Sequence, residues 1–215
     1  MDINNEEKVI ENFHELFYTK AEQGGTWSGI RWMGIPTRKN PFDIWIYQEI
    51  IHEIRPDVIV ECGTMLGGSA LFFVQMCDLV GKGRIITVDI EKREKRPDHP
   101  RINYLTGSST DPEIIARVQS LIRPSEVIMV VLDSDHHKDH VFQEMRLYSP
   151  LVTVGSYLVV EDGNINGHPV LSSFGPGPAE AIEKFLSSSV DFVVDKAREK
   201  LLMTFNPGGY LKRVR

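Results

Sequence analysis

Acidic residues follow two apolar runs in the second half of the chain. One group comes directly after residues 130–132 and the other directly after residues 157–160. Carboxylates crowded at one place raise each other's cost of ionisation unless a cation lies between them. A hard divalent cation with oxygen ligands fits such a group, Mg²⁺ foremost, with Mn²⁺ and Ca²⁺ as alternatives. The predicted metal-binding residues are Asp133, Glu161 and Asp162.

The same segment offers a general base. His136 lies next to the first acidic group, and an ordinary imidazole titrates near ~6.5, close to neutral pH. Asp133 and Asp135 are the alternative proton acceptors, and these three form the predicted catalytic set. A zinc site is not favoured, because His136 and His140 do not form a His-Glu-x-x-His motif and no cysteine joins them.

A glycine-rich segment follows the apolar run 58–60. Its spacing, Gly63-x-x-x-Gly67, lacks the Gly-x-Gly-x-x-Gly pattern of dinucleotide-binding turns. The adjacent Glu61 would repel a pyrophosphate, but it can face an ammonium group. S-adenosylmethionine (SAM) carries an ammonium and a sulfonium and no phosphate, so it suits this turn better than NAD. Asp89, at the end of the next apolar run, can accept hydrogen bonds from ribose hydroxyls.

A third polar segment, 107–109, follows the next short apolar run and can flank an adenine ring. Ligands of parallel α/β sheets bind beyond the carboxyl ends of the strands, where all these segments would meet. The predicted cofactor-binding residues are Glu61, Gly63, Thr64, Gly67, Ser69, Asp89, Gly107, Ser108 and Ser109.

The elements that must position these residues follow an alternating pattern. Continuous apolar runs separated by helical patterns predict a parallel sheet with helices on both faces, the α/β class. The predicted strands are 58–60, 84–88, 102–105, 127–132 and 157–160, and the predicted helices are 67–80, 111–122, 137–148 and 178–188. The tail differs: residues 192–194 and 201–205 predict an antiparallel hairpin that closes the sheet, followed by a turn at 206–209.

Upstream of this unit, residues 5–22 predict an amphipathic helix, and a second helix is expected from Pro41 to the residue before Pro56. The Gly- and Trp-rich connector 24–36 lies between them. Its Trp27 and Trp32 either stack on an acceptor or anchor the first helix. We therefore divide the chain into an N-terminal helical cap and connector, 1–56, and a SAM-binding core, 57–215.

Composition limits the class of protein. The chain has 215 residues, 41% of them hydrophobic and 25% charged, with a net charge of −6, which argues against a nucleic-acid partner. No apolar run approaches membrane-spanning length, and the N-terminus lacks a signal-peptide pattern. The two cysteines form no disulfide framework, so we expect a cytoplasmic protein. The apolar stripe of the first helix can pack within the chain or on a partner, so the oligomeric state is not fixed by the sequence.

Taken together, these residues resemble the cation-dependent O-methyltransferases of the catechol type. The spacing of the acidic groups, 161 − 133 = 28, matches that type and favours Asp133 over Asp135 as the ligand. The chain resembles the cephalosporin hydroxylase/rhamnosyl O-methyltransferase family more closely, from about residue 24 onward. The segments that carry this resemblance are 32–36, 60–64, 132–136, 157–162 and 206–211.

The resemblance implies a Rossmann-like class I methyltransferase fold, with a seven-stranded, mostly parallel sheet and an antiparallel C-terminal hairpin. It also implies SAM-dependent, cation-assisted methylation of a hydroxyl on a small molecule, such as a sugar, an antibiotic precursor or a phenol. A NAD-type dehydrogenase and a non-catalytic SAM- or nucleotide-binding relative are the alternatives. The Gly/Pro-rich segment 163–177 is expected to cover the site.

Two departures from the catechol type matter. His136 stands where that type carries a lysine, which leaves the identity of the base open. The second acidic pair is Glu161-Asp162 rather than Asp-Asn, one charge more negative, which predicts tighter cation binding.

Overall fold

The computed structural model describes residues 3–22 and 26–215. The start of the predicted connector, Gly24 and Gly25, lies outside the described residues. The helices are α1 (Ile3–Glu22), α2 (Pro41–Ile54), α3 (Gly68–Leu79), α4 (Pro112–Ser120), α5 (Lys138–Tyr148) and α6 (Pro178–Leu186). The strands are β1 (Arg31–Trp32), β2 (Ile35–Pro36), β3 (Val58–Cys62), β4 (Arg84–Asp89), β5 (Ile102–Thr106), β6 (Ile128–Leu132), β7 (Tyr157–Val160), β8 (Phe192–Val194) and β9 (Tyr210–Arg213).

Seven strands form one sheet in the order β5-β4-β3-β6-β7-β9-β8. The five strands from β5 to β7 are parallel, and β9 runs antiparallel to both β7 and β8. The predicted seven-stranded sheet with an antiparallel C-terminal end is confirmed. Because the parallel strands share a direction, the segments that follow β3 to β7 meet at one edge.

The second strand of the C-terminal hairpin was wrongly predicted. Residues 201–205 are not a strand; the chain reaches the sheet again only at β9. The apolar character of 201–205 serves packing instead, because the ring of Phe205 packs on the rings of Phe17 and Tyr18 in α1, at centroid distances of 6.1 and 5.6 Å. The true strand was missed because Lys212 and Arg213 give its end a polar sequence.

The sheet is covered on both faces, as the continuous apolar runs predict. β3 and β6 are buried along their whole length. Alternate strand residues pack against α2 and α3 on one face and against α4, α5 and α6 on the other. Fully burying one Ile, Val or Phe side chain contributes roughly 1.5–3 kcal/mol. These two apolar layers therefore hold the carboxyl edge of the sheet rigidly.

The segment just before α2 is fixed by capping. Asn40 accepts a hydrogen bond from the backbone N–H of Phe42 at 3.1 Å, and Pro41 occupies the first turn. The helix ends at Ile54 and is followed by Arg55, whose backbone has a left-handed conformation. The capping holds the neighbouring Lys39 at a defined position. Within residues 3–22 and 26–215, no helix combines the length and apolarity needed to cross a bilayer.

Candidate functional site

A cavity of about 700 Å³ opens at the carboxyl edge of the sheet. Segments that follow β3, β4, β5, β6 and β7 all contribute to its wall. The predicted site residues that line it are Gly63, Thr64, Ser69, Asp89, Gly107, Ser108, Ser109, Asp133, Asp135, His136 and Asp162. Three predicted residues, Glu61, Gly67 and Glu161, are not part of the lining.

The glycines of the turn after β3 allow close backbone contacts. A β-carbon at Gly63 would lie 1.8 Å from the backbone oxygen of Asp133, and one at Gly68 would lie 2.3 Å from that of Pro36. Gly67 has φ +80 and packs against Pro97 instead of the cavity. The turn therefore touches both the connector and the segment after β6.

Asp89 holds the glycine turn in place. Its carboxylate accepts hydrogen bonds from the backbone N–H of Met65 at 2.5 Å and of Glu91 at 2.8 Å. Arg96 lies 3.3 Å from the same carboxylate. Because Asp89 also lines the cavity, it remains available to a ribose while it fixes the turn.

Glu61 lies beneath the turn rather than at its surface. It is 0% exposed, and its Oε2 accepts a hydrogen bond from Thr87 at 2.6 Å. Its Oε1 is buried and has no hydrogen-bond partner among the described residues. Burial raises the pKa of Glu61 to about 7. A buried acceptor without a donor fits an ammonium group.

Three possible metal ligands come together where β6 and β7 end. One ligand atom each from Asp133, His136 and Asp162 lie within 4.8 Å of one another. His136 Nε2 is 3.2 Å from Asp162 Oδ2. Burial raises the pKa of both carboxyls, so negative charge is costly here. Two facing carboxylates and an imidazole form a donor set that fits a divalent cation.

Lys39, which the sequence did not point to, lies within the acidic group. Its Nζ is 2.8 Å from Asp133 Oδ2 and 2.6 Å from Glu161 Oε1. Tyr47 donates to the same Glu161 oxygen at 2.6 Å. Oε1 of Glu161 is thus engaged by two donors, and Glu161 lies outside the group of possible ligands formed by Asp133, His136 and Asp162.

The same contacts decide the protonation state of Lys39. Burial alone would lower its pKa, but the carboxylates of Asp133 and Glu161 outweigh burial and raise it. Lys39 therefore remains an ammonium ion at neutral pH. Lys39 therefore cannot act as the base. It supplies a positive charge to the acidic group, but from a different part of the chain than the lysine of the catechol type.

The candidate bases differ in their surroundings. His136 lines the cavity; burial opposes its charged form, but Asp162, Asp133 and Glu161 outweigh this and raise its pKa. Asp135 is exposed. Burial alone would raise its pKa, but hydrogen bonds from His137 outweigh burial and lower it. A lowered pKa makes Asp135 the weaker base of the two.

A network of polar side chains surrounds the predicted adenine position. Ser109 Oγ is 3.2 Å from His140 Nε2, which is also 3.2 Å from Ser134 Oγ. Ser134 donates to the buried Glu144 at 2.6 Å, and Tyr148 donates to the backbone oxygen of Ser109 at 2.9 Å. His140 and Ser134 line the cavity although the sequence did not point to them as cofactor ligands.

Another part of the cavity wall is aromatic and apolar. The lining residues of this kind include Tyr18, Trp27, Ile165, Leu171 and Phe174. The last three belong to the segment 163–177 that was expected to cover the site. The two tryptophans of the connector separate in role: Trp32 donates to Gln75 at 2.7 Å and packs on Phe72 of α3, so it anchors the connector, whereas Trp27 faces the cavity.

Comparison with known proteins identifies the family. Residues 25–214 match the family described as rhamnosyl O-methyltransferase/CmcI. The chain belongs to this family. Family membership confirms the resemblance that the sequence motifs indicated.

Relatives in the rhamnosyl O-methyltransferase/CmcI family cover nearly the whole chain. The rhamnosyl O-methyltransferase of Mycobacterium bovis (strain BCG / Pasteur 1173P2) is 41% identical over 95% of this chain and 85% of its own length. That of Mycobacterium leprae (strain TN) is 40% identical over 96% of this chain and 91% of its own length.

Solved structures of CmcI share the fold. The apo form aligns with a TM-score of 0.68 and 20% identity, over 87% of this chain and 77% of that protein. The Mg-SAM form aligns with a TM-score of 0.65 and 21% identity, over 87% and 78%. At such identities the likeness supports the class I methyltransferase fold and carries no information on individual residues.

Proposed function

We propose that this protein transfers the methyl group of SAM to a hydroxyl of a small molecule, assisted by a divalent cation. The observation that carries the proposal is the contact of Gly63 with the backbone oxygen of Asp133. It joins the turn suited to a sulfonium donor directly to the acidic group suited to a metal. A hydroxyl bound at that group would therefore lie next to the methyl donor, and positioning of this kind supplies much of the rate of a transfer reaction.

SAM would occupy the part of the cavity between β3 and β5. Glu61, through its unpartnered oxygen, would attract the ammonium group, and Asp89 would accept from the ribose. Ser109 and the neighbouring His140 would meet the adenine edge. Gly63, Gly107 and Ser108 would form the walls, while Gly67 would act by shaping the turn.

Of the three possible ligands, Asp133 and Asp162 would hold the cation, with Mg²⁺ the first candidate and Mn²⁺ or Ca²⁺ as alternatives, and His136 would remain uncoordinated beside them. A bound divalent cation lowers the pKa of a hydroxyl and fixes its oxygen. Glu161 would join the ligands only through its second oxygen, because Oε1 accepts from both Lys39 and Tyr47. The expectation of tighter cation binding assumed an uncompensated extra carboxylate, and Lys39 offsets that charge.

His136 is the proposed general base. It lines the cavity beside Asp133 and Asp162, and an ordinary imidazole titrates closer to neutral pH than a carboxylate does. Asp135 is engaged by His137, and Asp133 shares an oxygen with Lys39. A base in contact with the acidic group can take the hydroxyl proton at the point where the cation weakens the O–H bond.

The acceptor is proposed to be a sugar hydroxyl. Relatives at about 41% identity are named rhamnosyl O-methyltransferases, and Tyr18 and Trp27 supply aromatic rings to the cavity wall. Aromatic faces pack well on the apolar faces of sugar rings. Antibiotic precursors and phenols are the alternative acceptors.

Transfer of labelled methyl groups tests the proposal. We expect label to pass from SAM to a rhamnosyl glycoside in Mg²⁺, to be lost after exhaustive EDTA treatment, and to return with Mg²⁺ or Mn²⁺. Activity that survives EDTA contradicts the role of the cation. Binding of NAD without SAM favours the dehydrogenase alternative, and SAM binding without transfer to any acceptor favours the non-catalytic one.

Three further expectations belong to this proposal. They are a cytoplasmic location, a possible homo-oligomer, and the division of the chain into a cap and connector, 1–56, and a SAM-binding core, 57–215. In support of the last, Trp27 and Tyr18 from the N-terminal part line the cavity with residues of the core.

A further inference from the structure

The acidic group carries its own positive charge. Asp133, Glu161 and Asp162 contribute three carboxylates, and the Lys39 ammonium contacts the first two at 2.8 and 2.6 Å. Lys39 is only 2% exposed. Salt and water therefore screen this charge poorly. Lys39 is close enough to act on any second cation that binds the same carboxylates.

The position of Lys39 is set by the chain around it. Asn40 caps α2 and is 1% exposed, Pro41 restricts the first turn, and Pro36 packs on Gly68. The backbone is thus fixed on both sides of Lys39, before it by the Pro36 contact and after it by the capped start of α2. Because the Lys39 side chain is also buried, a second cation on the same carboxylates would meet its ammonium at close range.

The carboxylates do not depend on Lys39 for their placement. The backbone N–H of Asp133 donates to Cys62 at 2.8 Å, and that of Glu161 donates to Leu132 at 3.0 Å, both as continuations of the sheet. Tyr47 holds Glu161 Oε1 independently of Lys39. Removal of the lysine would therefore change the charge of the group more than its geometry.

We infer that Lys39 is a positioning residue that neutralises one carboxylate of the acidic group and thereby lowers the affinity of that group for the divalent cation. A divalent cation on Asp133 shares that carboxylate with the ammonium, so the two like charges oppose each other at short range. The inference rests on the cation of the proposed function and adds a residue that no sequence motif indicated.

Mn²⁺ affinity tests the inference directly. We expect Lys39→Met to bind Mn²⁺ at least tenfold more tightly than the unsubstituted protein in electron paramagnetic resonance titrations of the free ion. Lys82→Met is the matched control, because Lys82 is ion-paired with Asp57 at the opposite end of β3. It should leave the affinity within twofold. Unchanged or weaker Mn²⁺ binding by Lys39→Met overturns the inference.

Two further variants separate charge from packing. Lys39→Arg keeps the charge and should stay within about threefold of the unsubstituted affinity; a gain equal to that of Lys39→Met overturns the inference. Glu161→Gln removes one of the two carboxylates that Lys39 contacts. In that background Lys39→Met leaves only Asp133 without its ammonium partner, instead of both Asp133 and Glu161. The double variant should bind Mn²⁺ at least tenfold more tightly than Glu161→Gln alone, and circular dichroism checks that each variant folds.

The outcomes distinguish this inference from the proposed function. Tight Mn²⁺ binding in Lys39→Met supports the role of Lys39 whether or not methyl transfer is observed. Equal Mn²⁺ affinities of Lys39→Met and the unsubstituted protein overturn the role of Lys39 but still support the cation site. Absence of Mn²⁺ binding in every protein overturns both.

Discussion

Gly63 and Asp133 touch through their backbones, with room for no side chain between them. A β-carbon at Gly63 would lie 1.8 Å from the Asp133 carbonyl oxygen, and the residue has φ +101. Both features require glycine. The contact joins the cofactor turn after β3 to the acidic group after β6, so the two halves of the proposed site cannot move apart independently.

Substitution of this glycine should damage both halves. We expect Gly63→Ala to lower the melting temperature and to weaken binding of both S-adenosylhomocysteine and Mn²⁺ at least tenfold, measured by calorimetry. Gly81→Ala is the control, because Gly81 has φ +81 but open space around it, so it carries the backbone strain, on the order of 1 kcal/mol, without the clash. Equal effects of the two substitutions would argue against a specific contact.

The ionised Glu61 should destabilise the ligand-free protein and strengthen cofactor binding. Burial raises its folded-state pKa from 4.5 to about 7, so its contribution to stability is full below pH 4.5 and is lost as the pH rises through about 7. Glu61→Gln should therefore stabilise the ligand-free protein at pH 8, by up to about 3 kcal/mol, and have little effect at pH 4.5. The same substitution should weaken S-adenosylhomocysteine binding at least tenfold.

Glu126→Gln provides the opposite case. The guanidinium of Arg84 lowers the pKa of Glu126 to about 2, so its ionised form stabilises the folded protein above the unfolded pKa and this stabilisation is lost as the pH falls towards 2. Chemical denaturation at pH 8 should show loss of stability in Glu126→Gln and gain in Glu61→Gln. Destabilisation of both would mean that Glu61 is satisfied as an anion without the cofactor.

The base assignment predicts unequal effects of two neighbouring substitutions. His136→Gln should lower kcat at least 100-fold, because it removes the group beside Asp162 that accepts the proton. Asp135→Asn should lower kcat less than tenfold, since Asp135 is exposed and engaged by His137. Steady-state kinetics at saturating Mg²⁺ measure both, and a larger loss in Asp135→Asn would move the role of base to Asp135.

The sheet could be predicted from the sequence because each strand of its centre is a continuous apolar run. β3 and β6 are buried on both faces, and that burial produces the pattern. The last strand could not be predicted in the same way. β9 ends in Lys212 and Arg213, whereas 201–205 is apolar because Phe205 packs on α1 and Leu201 packs on the core cluster that contains α2.

The candidate site divides along a similar line. Asp89, Ser109, Asp133 and Asp162 lie at or within three residues of the carboxyl ends of strands, so the strand pattern alone brings them to one edge. Lys39 is separated from Asp133 by 94 residues and from Glu161 by 122. Its contact depends on the path of the connector over the sheet, which a local pattern in one sequence does not encode.

Crystals grown with S-adenosylhomocysteine and Mn²⁺ test the central claim, that donor and cation occupy neighbouring parts of one cavity. The account predicts an anomalous difference peak bounded by Asp133 and Asp162, with the homocysteine part of the ligand above Glu61 and its adenine beside Ser109. A manganese peak elsewhere, or a ligand outside the Gly63 turn, would contradict it.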